Sequence, residues 1–157
     1  LSKDEDRETE VTREYPEHPL VGVGVVIFRG PELLLIRRGK PPRLGQWSLP
    51  GGLQELGETV FQCAKREALE ECGVEIEPVA VIDVVDSITR DGEGRARFHY
   101  TLVEVLAEWR RGEPRAGGDA LAVGWHDPAK AAELGMWSET VRVIARAAEL
   151  RAHVKKR

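Results

Sequence analysis

The sequence predicts a single α/β domain in which helices sandwich a mixed β-sheet. Three observations carry this. Apolar residues alternate from Leu20 to Ile27 with strand periodicity, a well-capped helix follows from Thr59 to Gly73, and further strands precede two closing helical segments. Strands that resume after a helix call for a sheet of mixed direction. The length, 157 residues, suits one domain able to bury a core without staples.

The elements follow in order. Residues 1–19 are polar and charged, with only Leu1, Val11 and Tyr15 to bury, and read as a mobile arm ahead of a domain spanning 20–157. Val21, Val23, Val25 and Ile27 form a strand whose other positions include Gly22 and Gly24, leaving one face open to a close neighbour. A turn at Arg29-Gly30-Pro31-Glu32 leads to a buried strand, Leu33 to Arg37. A loop from Gly39 to Gly45, a short strand from Trp47 to Leu49 and the bend Pro50-Gly51-Gly52 come next. Thr59-Val60-Phe61-Gln62 has the form of a capping box, and Gly73 is the expected left-handed stop. Val79 to Ile88 and Arg95 to Ala107 are strands around a turn at Asp91–Gly94, and Leu121 to Trp125 is another strand. Asp127-Pro128 opens a short helix to about Leu134, and Ser138 caps a last helix to about His153.

Composition bounds the function. Hydrophobic residues make up 41% and charged residues 32%, with a net charge of −4, so no global basic field draws the chain to a nucleic-acid polymer or an anionic membrane. No segment approaches the length of a membrane span. Cys63 and Cys72 fall on different faces of one helix and cannot easily pair, which favours a reducing, cytoplasmic setting.

The helix after Thr59 breaks local rules. Glu67, Glu70 and Glu71 stand at i, i+3 and i+4 on one face, beside an apolar arc of Val60, Phe61, Ala64, Ala68, Leu69 and Cys72. Glu67 and Glu71 repel each other, and Glu70 and Glu71 face the unfavourable end of the helix dipole. A hard divalent cation reverses both penalties. A solvated surface face is the plain alternative. Glu58 adds a fourth acid, and Arg66 is a cation able to orient a neighbouring carboxylate.

Gly52, Glu58, Arg66, Glu67, Ala68, Leu69, Glu70, Glu71, Gly73 and Val74 together resemble the Nudix box. Ala68 is the one soft departure, small where a bulkier aliphatic is usual. Trp47-Ser48-Leu49-Pro50 ahead of the glycines resembles the usual lead-in. The resemblance implies the Nudix α/β/α sandwich. It also implies Mg²⁺-dependent hydrolysis of a phosphoanhydride bond in a nucleoside diphosphate linked to another moiety, with Mn²⁺ as an alternative metal. It assigns Glu67, Glu70 and Glu71 as metal ligands, the Gly52 carbonyl as a further ligand, and Glu58 as an outer ligand or an orienter through water. Arg66 then holds a box glutamate.

Outside the box, Asp119 is the favoured general base, with Glu113 as the other choice and a surface turn acid as the plain reading. Arg38, with Arg37 beside it, answers the need of an acidic enzyme for a local phosphate cation; a solvated strand end is the alternative. Trp47, Trp125 and Trp137 could stack on a base but read first as core. A MutT-like nucleotide pyrophosphohydrolase is the default, ahead of an ADP-ribose or nucleotide-sugar pyrophosphatase. A non-catalytic nucleotide sensor sits poorly with an intact box, and an isopentenyl diphosphate isomerase lacks its cysteine ahead of the helix. The expected partner is a small nucleoside diphosphate derivative, and a homodimer is compatible.

Overall fold

A computed structural model describes residues 12–156. Seven strands form one mixed sheet: β1 (Leu20–Arg29), β2 (Glu32–Arg38), β3 (Trp47–Ser48), β4 (Gly51–Leu53), β5 (Glu75–Arg90), β6 (Ala96–Arg111) and β7 (Ala120–His126). Helix α1 (Val60–Cys72) follows β4, a 3₁₀ helix (Pro128–Leu134) follows β7, and α2 (Ser138–Lys155) closes the chain. The strands run in the order β3-β2-β1-β6-β5, with β4 paired to β1 and β7 to β2. The β1–β6 pair is parallel and the others are antiparallel.

Each face of the sheet carries its own core. Val23, Val25, Ile27, Leu34 and Val105 pack against Ala64, Ala68 and Cys72 of α1. Val26, Phe28, Leu33, Leu35 and Leu106 pack against Val143, Ile144 and Ala147 of α2. Strand alternation delivers the two sets from the same strands, which makes the fold the expected α/β/α sandwich.

Several local expectations are revised. Gly51–Leu53, read as part of a loop, is a strand that pairs with Gly22–Gly24 of β1. Only glycine permits it, since a Cβ on Gly51 would collide with the Val23 carbonyl. The hairpin strands β5 and β6 are longer than apolar alternation indicates, with Pro78 accommodated at a register shift. The short helix is 3₁₀. Ser138 is the first residue of α2 and does not cap it; Trp137 holds the cap position without a side-chain bond. The stretch read as an arm is tied down at its end. Tyr15 N–H donates to the Arg97 carbonyl at 2.7 Å, its hydroxyl donates to Asp91 at 2.9 Å, and Glu14 pairs with Arg97 at 2.8 Å. Residues 1–11 lie outside the described residues.

Because β4 inserts beside the first half of β1, β2 meets β1 only at Phe28 and Arg29. The sheet is therefore split between β2 and β1, and the site lies in that split.

Candidate active site

Helix α1 begins as its sequence dictates. The Thr59 hydroxyl accepts from Gln62 N–H at 3.1 Å, Gln62 Oε1 accepts from Thr59 N–H at 2.8 Å, and Gly73 ends the helix in the left-handed conformation. The buried face departs from expectation. Cys63, Ala64, Ala68 and Cys72 are buried, whereas Phe61 and Leu69 are exposed. Small residues let the helix lie close on the sheet, and this close seat carries Glu71, in the last turn, into the protein. Ala68 is fully buried, so its small size serves the packing.

Arg66 is the hub of the acidic edge. Its Nε and Nη2 donate to both oxygens of Glu58, at 2.7 and 2.9 Å. Nη1 reaches Glu67 at 2.8 Å and Glu70 at 3.2 Å, and Nη2 also donates to the Leu53 carbonyl at 3.0 Å. The fork holds Glu58 down to about 2, while the surrounding carboxylates raise the guanidinium itself. Among the described residues no three acidic, His or Cys side chains converge to hold a metal as they stand. Glu67 and Glu70, two of the three expected metal ligands, are ion-paired with Arg66 in this arrangement.

Glu71 is outside this arrangement. It is only 7% exposed, and its carboxylate accepts from the Gly51 N–H at 3.3 Å. Desolvation pushes it up to about 8, reinforced by Glu67 and opposed by the Gly51 bond and Arg38. Glu67 is also raised by burial, against the pull of Arg66, and its carboxylate fills the space where a Gly52 side chain would stand. Glu70 is more than half exposed. The donor set is hard oxygen throughout, and Glu71, buried and short of positive charge, suits a divalent cation.

The loop after β6 docks on the C-terminal end of α1. Arg115 N–H donates to the Cys72 carbonyl and Gly117 N–H to the Glu71 carbonyl, each at 2.9 Å, which satisfies carbonyls that a helix end leaves open. Gly39 N–H then donates to the Asp119 carbonyl at 2.9 Å. Asp119 therefore stands at the cavity that Glu71 lines, half-exposed and paired with Lys40 at 3.1 Å. Glu113 is not brought there; it is 87% exposed and faces Arg29 at 3.9 Å.

The two arginines of β2 part company. Arg38 lines the cavity, donates from Nε to the Pro42 carbonyl at 2.7 Å, and is lowered by desolvation against the pull of Glu71. Arg37 is exposed and donates to the Gly45 carbonyl at 3.0 Å. Neighbouring strand residues point to opposite sides, so Arg37 is withdrawn from the substrate-binding set. Trp47 and Trp137 line the cavity, whereas Trp125 packs in the core on the α1 face. The sequence reading missed Arg13 and Glu104, which line it too, as does Arg43. Of these only Glu104 left a signal, as a lone acid in the apolar run Leu102–Leu106.

A box of acids on a helix, seated beside a split α/β sheet, defines a class of protein before any comparison. The NUDIX domain family matches residues 18–147, and the chain belongs to that family. It is 34% identical over 110 residues to an ADP-ribose pyrophosphatase of Methanocaldococcus jannaschii, spanning 70% of this chain and 63% of that protein. It is 33% identical over 118 residues to a MutT-like protein of Streptomyces ambofaciens, spanning 75% of this chain and 70% of that one. The crystal structure of a MutT NUDIX hydrolase from Burkholderia pseudomallei superposes with a TM-score of 0.71 and 32% identity, over 83% of this chain and 98% of that one. No described helix is long and apolar enough to cross a membrane.

The state of Glu71 has a consequence for stability. A carboxylate raised on folding binds its proton more tightly in the native state, so native stability without cation falls as pH rises from 4.5 to about 8. Glu71→Gln is expected to raise metal-free stability at pH 8 by on the order of 1–3 kcal/mol and to change it little at pH 4. Chemical denaturation in chelator at both pH values checks this; an equal effect at both would remove the burial account.

Proposed function

We propose that the chain hydrolyses a phosphoanhydride bond in a small nucleoside diphosphate derivative, as a Mg²⁺-dependent pyrophosphohydrolase of the MutT type. The observation that carries this is the buried, cation-starved Glu71, which lines the same cavity as Arg38 and Asp119. Glu67, Glu70 and Glu71 would hold the metal, with the Gly52 carbonyl beside them and Glu58 fixing Arg66 behind. A bound divalent cation supplies charge stabilisation at the phosphoryl oxygens and acidifies water. Arg38 presents a planar fork to a phosphate from a partly desolvated position, where its charge acts strongly. Asp119, which lines the cavity, would accept a proton from water. Arg66 orients Glu67 and Glu70 and does not touch substrate. The ADP-ribose reading is supported by the archaeal relative; the likeness to MutT-named proteins supports the other.

Turnover of a panel of nucleoside triphosphates, nucleotide sugars and ADP-ribose is expected to require Mg²⁺ or Mn²⁺ and to stop in excess chelator. Glu71→Gln is expected to lower kcat by at least about 100-fold while circular dichroism stays native. Turnover that persists in chelator would sink the proposal.

Arg38→Ala is expected to raise KM, with metal affinity in the absence of substrate little changed. Arg38→Lys should recover only part of the loss, because a point charge lacks the fork. Wild-type kcat/KM in both variants would return Arg38 to a structural role.

A further inference from the structure

The cavity beside the box contains a carboxylate that the phosphate chemistry does not use. Glu104 lies in β6, directly across from Gly24 of the parallel strand β1. It is 6% exposed, and its Oε2 is buried without a hydrogen-bond partner. Leaving a buried carboxylate oxygen unpaired is costly, so such a group calls for a partner that arrives with a ligand. The surroundings are built around it. A Cβ on Gly24 would collide with its carboxylate, so the strand beside it is glycine where the side chain needs room. Burial, reinforced by Asp83, pushes it up to about 7, as expected of an acid given no donor.

One cavity of about 130 Å³ is lined by both Glu104 and the residues Arg38 and Glu71. Arg43 and Trp137 close one side: the guanidinium lies 3.8 Å from the indole centroid, and Nη2 donates to Ser87 at 3.2 Å. Gly51, whose N–H holds Glu71, pairs with Gly24, which in turn pairs with Glu104. Two strand spacings, about 10 Å, separate the ends of that line. A nucleotide with its phosphates at Arg38 and near Glu71 can reach Glu104 with its base across that span of the same cavity.

Building on the nucleotide-hydrolase reading, we propose that Glu104 is the base-specificity residue and accepts from the paired ring N–H and exocyclic amino group of a guanine-type base. Two parallel donors match the two oxygens of one carboxylate. An adenine edge alternates donor and acceptor and would set a ring nitrogen lone pair against an oxygen of the ionised group.

The test compares GTP, ITP and ATP, since ITP differs from GTP only in lacking the exocyclic amino group. Wild-type kcat/KM is expected to favour GTP over both by about 10-fold or more. Glu104→Gln should lower GTP turnover by about 10- to 100-fold and ITP turnover far less, because an amide still offers one acceptor; the GTP-to-ITP ratio collapses toward one. Binding of GMP and IMP to metal-free protein, by calorimetry, provides a readout independent of catalysis and should show the same preference. Equal wild-type handling of the guanine and inosine members overturns the proposal, and so does a preference that survives Glu104→Gln. If the variant does not fold, the wild-type ratios alone decide. Absence of turnover on every nucleotide would count against the hydrolase reading, and the GMP-to-IMP binding ratio would still judge Glu104.

Discussion

One guanidinium makes the acidic helix possible. Arg66 meets Glu58 with two parallel bonds, Glu67 and Glu70 with one terminal nitrogen, and the Leu53 carbonyl with the other. Without it, α1 would carry clustered like charges toward a dipole end that has no basic residue in its last turn. The same bonds tie α1 to the end of β4 and to the loop before the helix, so the charge problem and the docking of the helix have one solution. Glu58 and Arg66 are largely shielded from water, which makes the pair stronger than a surface bridge and more damaging to break.

Arg66 does not reach every acid. Glu71, one turn further along the buried face, has the Gly51 N–H and little else. The box acids are thereby set apart: Arg66 holds Glu58 down, burial raises Glu67 against the pull of Arg66, and desolvation pushes Glu71 up to about 8. A carboxylate left in that condition is a site where an incoming cation gains most, because binding removes both the proton and the desolvation cost. The split in the sheet sets where that site opens. Gly51 draws β4 against β1, and the gap toward β2 becomes the cavity.

Much of this was legible because it is local. The capping box, the Gly73 stop and the spacing of Glu67, Glu70 and Glu71 lie within one helix, and the resemblance to the family rests on the same residues. What could not be read depends on partners distant in sequence. β4 exists because Gly51 meets Val23, and no apolar alternation marks it. Phe61 and Leu69 looked like core by periodicity, yet the sheet accepts only the small residues of α1. The sequence favours Arg38 over Arg37 only by resemblance, and it is the fold that leaves Arg37 exposed and sets Arg38 in the cavity lining. Glu104 is conspicuous as an acid in a strand, but its meaning comes from Gly24 on another strand. The chain ahead of β1 looked free because it is polar; Tyr15 finds Arg97 and Asp91 on the β5–β6 hairpin.

The most direct test of the Arg66 account is the unfolding free energy of Arg66→Lys at neutral pH, measured in chelator and again with Mg²⁺. Lysine keeps the charge but cannot bond both oxygens of Glu58 while reaching Glu67 and Glu70. A loss on the order of 2 kcal/mol in chelator is predicted, shrinking when Mg²⁺ is added because the cation takes over part of the neutralisation. Stability within about 0.5 kcal/mol of wild type in chelator, a range typical of surface substitutions, would contradict the claim that this guanidinium holds the acidic helix in place.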